Sequence, residues 1–436
     1  MSGDAIMLSV MMRPRSSFAR RRVWLGLSLT FTLALAGCLR TLDESRIDAN
    51  AGAGTGGAAG TGGAAGTGGA AGTGGEPGDG SAGGAGTGGA GGSAGQGGAA
   101  GGAGGGPGGA IVPYDAQLHP VRDLFRAYDL PIAIAADNVT VFHAKRGGAA
   151  GVISATPLDG SATMPITGTD VNRPMALAAP AVSLNVFYVG GSSGIGELGR
   201  YLKAPGGDPN PRVPIDAGSG ASAIEQAVAI AIGTDGYAYV SARAIAPNHP
   251  TVLRFQLQAS GDTADTLYTT QTGNDSGGPI TASKGCVYFI SNGDIFVIPS
   301  EGALFRKPAL ATPITDAIGL ASDQANLYFT RARGEVWQRK LSPSPACDNS
   351  GPAEKLLATG FTGIGAVIAY EPSTVAWSAK GDPSKSFAGG GVFTTPADGY
   401  TVTQLAPETD GVEQLADAGS YVAYATANGY LRRVTK

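Results

Sequence analysis

A unit of about 47 residues, repeated seven times, constrains this chain more than any other feature. It is clearest at residues 283–302, SKGCVYFISNGDIFVIPSEG. CVYFIS is rich in β-branched and aromatic residues. Asn292-Gly293 makes a tight turn and DIFVIPS returns, so the stretch reads as a β-hairpin. A small apolar strand, a turn and an aromatic strand recur at 132–144, 175–190, 229–242, 279–291, 318–331, 366–379 and 413–426. Turn markers fall at Asp137, Pro180, Asp235, Lys284, Asp323, Pro372 and Asp417. A period of about 40–50 residues with four short strands per unit is the pattern of a β-propeller blade. A sandwich would also alternate, but it has no need of seven copies of one unit.

Each unit parses into four strands. The first is small and apolar, which suits a crowded central channel. The second is aromatic. The third follows a Gly-containing turn, as in GVISATPL (151–158), EVWQRKL (335–341) and GVFTTPA (391–397). The fourth is short, as in ATMPIT (162–167) and EKLLATG (354–360). The last unit stops after three strands, whereas an orphan of fourth-strand type, DLFRAYD (123–129), precedes the first. The expected fold is therefore all-β: a propeller of seven four-stranded blades, with six or eight as the alternatives. The N-terminal orphan completes the last blade, and closure removes exposed sheet edges.

The second and third strands resemble the YWTD-type repeats of six- to eight-bladed propellers, best at 287–302 and 327–341. The Asp that closes the YWTD motif is replaced by Ser291 and Arg331. The resemblance implies a ring fold. It implies no single activity, because receptors, scaffolds and enzymes share that fold.

The N-terminal quarter reads as an address. Arg13, Arg15 and Arg20, Arg21 and Arg22 precede an apolar run at 23–36, which Leu35-Ala36-Gly37-Cys38 closes. Fourteen residues are too few to span a bilayer as a helix and fit a signal h-region. The ending resembles the lipobox of bacterial lipoproteins. That resemblance implies a signal peptide over 1–37 and acylation of Cys38. It also implies a membrane-held product of the cell envelope. Leu39 lacks the Asp that retains some lipoproteins in the inner membrane, so the outer membrane is expected. Residues 38–50 are a lipidated polar tether. TGGAAG then repeats at 55–60, 61–66 and 67–72, and residues 51–110 hold 32 of the 72 glycines. Such a segment cannot bury enough apolar surface to fold, and is expected to be a disordered spacer of about 40 Å reach. It has no Gly-X-Y period, which excludes collagen. The propeller is expected over 111–436.

Charge narrows the partners. The chain carries −4, and its first 37 residues carry five Arg against Asp4, which leaves −8 from Cys38 onward. An acidic product without a basic stripe is a poor nucleic-acid binder. Of three cysteines, Cys38 is the acylation candidate, so Cys286 and Cys347 remain as a pair. In an exported protein an even remainder suggests a disulfide, here linking two adjacent blades on one face. Gly190-Gly191-Ser192-Ser193-Gly194-Ile195-Gly196 mimics a dinucleotide-binding turn. Pro205 and Pro209 soon break any helix after it, so it reads as a hairpin loop. His119, His143 and His249 have no metal spacing, and His143 reads as a structural residue. No catalytic residue, metal site or cofactor is assigned from the sequence.

One charge distribution stands out. The turns between second and third strands carry Lys145, Arg146, Arg243, Arg331, Arg333, Lys380 and Lys385. The connections between blades carry Asp170, Glu225, Asp275, Asp316, Glu408 and Asp410. Propeller topology brings both sets to one face. Such a mixed-charge rim is either a site for a protein or glycan partner or a solvated, ion-paired edge. The sequence thus points to a monomeric envelope lipoprotein that displays a propeller for binding or scaffolding. A propeller enzyme, a hydrolase or lyase acting on polysaccharide or another envelope substrate, is the alternative.

Overall fold

A computed structural model of the chain describes residues 111–436 apart from 127–131, 146–150, 167–170, 172, 193–194, 205–212, 216–223, 225, 245–248, 258–262, 272–275, 343–346, 349, 371–372, 383, 385–388 and 400. The expected signal peptide, Cys38, the expected tether and the Gly/Ala-rich segment lie outside the described residues. So do Arg146, Asp170, Glu225, Asp275 and Lys385.

Two short N-terminal strands, β1 (Ile111–Val112) and β2 (Val121–Arg126), come before the first complete blade. Blade 1 is β3 (Ile132–Ala136), β4 (Thr140–Lys145), β5 (Ile153–Pro157) and β6 (Met164–Pro165). Blade 2 is β7 (Ala176–Ala178), β8 (Asn185–Ser192), β9 (Ile195–Leu202) and β10 (Val213–Pro214). Blade 3 is β11 (Gln226–Ile232), β12 (Tyr237–Arg243), β13 (Pro250–Gln256) and β14 (Asp265–Thr269). Blade 4 is β15 (Ile280–Ser283), β16 (Cys286–Ser291), β17 (Asp294–Pro299) and β18 (Lys307–Pro308). Blade 5 is β19 (Ala317–Ser322), β20 (Asn326–Arg331), β21 (Glu335–Lys340) and β22 (Lys355–Ala358). Blade 6 is β23 (Ile364–Tyr370), β24 (Thr374–Ala379), β25 (Gly391–Pro396) and β26 (Val402–Pro407). Blade 7 supplies β27 (Val412–Ala418), β28 (Tyr421–Thr426) and β29 (Tyr430–Thr435), and β2 pairs with β29 as its fourth strand.

The innermost strands β3, β7, β11, β15, β19, β23 and β27 touch their neighbours all the way round. Seven four-stranded blades therefore form a closed ring, as the repeat predicts. The orphan strand occupies Val121–Arg126 rather than 123–129. The sequence also gave no sign of β1, which adds a fifth, parallel strand to blade 6 through Ile111↔Val402.

Packing explains the sequence pattern. Among the described residues, seven apolar clusters form, one in each cleft between adjacent blades. A second strand is covered on both faces, so it reads as a continuous apolar run rather than an alternating one. In β16 all six residues are buried. Cys286, Tyr288 and Ile290 face the cleft toward blade 5. Val287 and Phe289 face the cleft toward blade 3. First strands are small because they meet near the ring axis. A Cβ on Gly319 would lie 2.4 Å from Thr330 Oγ1 and 2.6 Å from Gly365 O. Thr330 Oγ1 donates to that same Gly365 carbonyl at 3.0 Å, binding blade 5 to blade 6.

Topology gives the ring two ends. At the upper end, as termed here, lie the turns between second and third strands and the connections between blades. At the lower end lie the turns between first and second strands and between third and fourth.

Candidate functional site

The described rim residues predicted from charge all lie at the upper end. Lys145 closes β4 and Arg243 closes β12, and both are exposed. Arg331 closes β20, Arg333 stands in the following turn and Lys380 follows β24. Asp316 precedes β19 and Asp410 precedes β27.

The structure draws most of these charges into pairs. At blade 5, Arg331 and Glu335 face each other across the hairpin β20–β21. Gly334, at φ 88°, takes the left-handed conformation that the turn requires. Arg331 Nε lies 2.7 Å from Asp316 Oδ1, and its Nη1 lies 3.9 Å from Glu335 Oε2. Arg333 Nε lies 2.7 Å from Glu335 Oε2 and 3.9 Å from Asp316 Oδ2. Trp337 Nε1 donates to Glu335 Oε2 at 2.7 Å. Two arginines are thus interleaved with two carboxylates, and Arg333 stays half exposed.

Blades 6 and 7 are joined in the same way. Lys380 Nζ lies 2.8 Å from Glu413 Oε1. Arg432, on β29, is the larger node. It pairs with buried Glu408, with Asp410 at 3.6 Å and with Asp123 of β2 at 2.6 Å. Its guanidinium also stacks over the Tyr430 ring, 4.4 Å from the centroid. One side chain therefore ties the N-terminal strand to the connection between blades 6 and 7. Part of this follows from the repeat, since connections bring Asp316, Glu408 and Asp410 to the end where hairpins bring Arg331, Arg333 and Lys380, whereas Arg432, Glu413 and Asp123 lie within strands.

This arrangement offers hydrogen-bond donors and acceptors of both signs around the channel mouth. Among the described carboxylates of this end, Asp316, Glu335, Glu408 and Asp410 are each engaged by an arginine. No group of metal-ligating side chains occurs among the described residues.

Other predicted positions are equally clear. Cys286 opens β16 and Cys347 lies in the connection between β21 and β22. Their Cα atoms are 5.5 Å apart and a disulfide joins them at the lower end of blades 4 and 5. The glycine run resembling a dinucleotide turn is the β8–β9 hairpin, with Gly191 opposite Gly196. Gly196 of that run serves packing, since a Cβ there would lie 2.4 Å from Ile224 Cγ1. His143 is buried, and its Nε2 lies 2.9 Å from Thr156 Oγ1. Burial lowers its pKa to about 4, so it is a neutral core residue at pH 7.

Sequence reasoning missed two devices. Arg432 gave no local signal, because its partners come from opposite ends of the chain. The second device was visible. An Asp in the turn between first and second strands, followed four or five residues later by Tyr, forms a turn anchor. Asp235 accepts from Tyr239 Oη, and Asp323 accepts from Tyr328 Oη at 2.9 Å. Burial and then the Asp235 carboxylate push the Tyr239 pKa upward.

No family model matches the chain, and no curated protein matches it in sequence. Solved structures do resemble it in fold. Selenomethionine-substituted virginiamycin B lyase from Staphylococcus aureus superposes with a TM-score of 0.52 at 15% identity, covering 73% of this chain and 99% of that one. U3-55K superposes with a TM-score of 0.51 at 11% identity, covering 72% and 98%. At such identities the likeness establishes the propeller and says nothing of its chemistry.

Proposed function

We propose that the protein is a lipid-anchored component of the cell envelope whose propeller binds a protein or glycan at its upper end. The observation that carries the anchoring is Leu35-Ala36-Gly37-Cys38 after an apolar run too short to span a bilayer. The binding reading rests on the mixed-sign rim. Arg333 is half exposed, and Lys145 and Arg243 are exposed at the ends of their strands. A polar ligand with both donors and acceptors suits such a rim better than an apolar one. The outer membrane is the expected location.

The test pairs the two claims. Mass spectrometry of exported protein should find Cys38 acylated and N-terminal. A Cys38→Ala variant should leave the membrane fraction. An array of glycans and envelope proteins, probed with the unacylated full chain, should yield a ligand whose binding falls on Arg333→Glu and Arg243→Glu substitution. Unchanged membrane retention of the Cys38 variant would end the anchoring claim. Ligand binding indifferent to both arginines would end the claim for the upper end.

A further inference from the structure

Apart from Met164 in β6, the large apolar side chains that stay exposed among the described residues are sorted by end. Leu118, Val139, Val182 and Leu184 are each 67–79% exposed, and Leu202 is 41% exposed. Val139 sits in the β3–β4 turn, and Val182 and Leu184 sit in the β7–β8 turn. Leu202 closes β9 and Leu118 precedes β2. All five positions are at the lower end. Exposed Leu304 and Phe305, between β17 and β18, are at that end too. At the upper end the described residues include Ile318 alone, at 39%. Single exposed apolar residues need no explanation, but a set gathered at one end of a ring does.

These tips are held in place. Lys203 Nζ donates to Asp137 Oδ2 at 3.0 Å and to the Pro180 carbonyl at 2.7 Å, so the turns of blades 1 and 2 are tied together. Asn138 packs against Gly419 of blade 7, where a Cβ would come within 3.0 Å of Asn138 Oδ1. His119 Nδ1 lies 3.0 Å from the Thr435 carbonyl, which fixes the segment carrying Leu118. The five side chains therefore form one arc across blades 7, 1 and 2.

We infer that this arc rests on the surface of a lipid bilayer. The inference depends on the anchoring proposed above. Two observations select a bilayer over a protein partner. The chain reaches the domain at the same end, because Ile111 pairs with Val402, the first residue of β26, and Ile111 and Val112 are themselves exposed. The described chain thus begins at the lower rim. The tips also stand on separate, braced turns and do not line a groove. Separate projecting Val and Leu side chains suit insertion between headgroups, whereas a peptide would need a groove. Weak contacts suffice for a domain tethered to the surface, since the tether supplies an effective concentration in the millimolar range. At these turns Asp137 is paired with Lys203 and, on blade 7, Asp417 with Lys436, so the arc meets the bilayer through apolar contact rather than through net charge. Docked in this way, the ring presents its charged upper end away from the membrane.

The test separates docking from anchoring. The full chain, unacylated and with the Cys286–Cys347 bond formed, is coupled through its one remaining thiol, Cys38, to maleimide lipid in phosphatidylcholine vesicles. Hydrogen exchange is compared with that of uncoupled protein. Amides at 181–184 should exchange several-fold more slowly on the vesicles, and amides at 331–334 should be unchanged. Phosphatidylglycerol in the vesicles should leave the protection nearly unchanged. A Val182→Asp/Leu184→Asp variant, altered only at exposed tips, should keep its melting temperature and lose the protection. Equal exchange with and without vesicles would overturn the inference and leave a protein as the occupant of the arc. So would equal protection of the double variant. Absence of lipid on Cys38 from exported protein would overturn the anchoring proposal while leaving this measurement intact.

Discussion

The two ends of the ring are made from the same strands, yet they fasten neighbouring blades by different chemistry. The upper end uses ion pairs: Asp316 with Arg331, Glu413 with Lys380, and Arg432 with Glu408, Asp410 and Asp123. The lower end also has an ion pair, Lys203 with Asp137, but it adds a disulfide between blades 4 and 5, sets its turns by aspartate–tyrosine hydrogen bonds within a blade, and leaves apolar tips in solvent. The seven clefts between blades already supply the core, so neither end is needed to define the fold. The ends are free to differ, and their fasteners should differ in strength. A covalent link acts on the unfolded chain. A buried ion pair matters through the charge stranded when it is cut. An ion pair open to water contributes little.

The largest effect is expected at the lower end. Cys286 and Cys347 are 61 residues apart. Closing a loop of that size is worth at most about 4 kcal/mol in the chain-entropy account. Cys347→Ser should lower stability by up to that amount in urea unfolding. Thiol counting on denatured, unreduced protein should detect only Cys38, and only where it is unacylated. A loss below about 1 kcal/mol, the scale of an exposed ion pair, would remove the contrast between covalent and ionic fastening.

Next comes Arg432. Its side chain is 17% exposed and that of Glu408 is 3% exposed. Arg432→Met strands a buried carboxylate, and a loss of about 3 kcal/mol is expected. Adding Glu408→Gln should recover part of it, which a double-mutant cycle measures. Independent, additive losses would show that the node is not a unit.

The ring itself was legible, and the ends were legible only in part. Seven copies of one pattern outvote any single misreading. Each strand is set by local turn chemistry such as Asn292-Gly293, where both residues take positive φ (53° and 79°). Strand β1 escaped notice because two residues, Ile111 and Val112, carry no period, and their partner lies 291 positions away at Val402. The face of each charged loop followed from topology. Which charges pair did not, since Arg432 needs Asp123 from the far end of the chain. The apolar tips were invisible for a different reason. Val139 and Val182 look like core residues in sequence, and only their exposure reveals that they are not.

Between the ends, His143 probes the strand ladder by itself. Its pKa is lowered by burial to about 4 in the folded state, against 6.5 for the ordinary group. The unfolded chain therefore binds the extra proton between those values. Stability is full above pH 6.5 and falls as pH drops through the window, by roughly 2 kcal/mol at pH 5. His143→Gln should flatten this part of the pH profile, and the fall should not depend on salt. A fall that salt suppresses would assign it to the ion pairs of the upper end.

The smallest effect is expected at the Arg331 cluster, and it decides whether the upper end is one kind of fastener or two. Arg331 is 15% exposed, Asp316 25% and Glu335 17%, so all three keep some water. Removing the arginine strands no fully buried carboxylate, because Arg333 remains beside both acids. Arg331→Gln should cost about 1 kcal/mol or less at low salt. The cost should shrink between about 0.05 and 0.5 M salt, as the screening length drops below the spacing of the charges around the mouth. The Arg432→Met loss should hardly move over the same range, since buried pairs are screened much less. A loss of 2 kcal/mol or more at Arg331 that persists in high salt would place both nodes in one class. The upper end would then be a set of structural clasps, and a ligand would have to be met by the exposed Lys145 and Arg243 and the half-exposed Arg333.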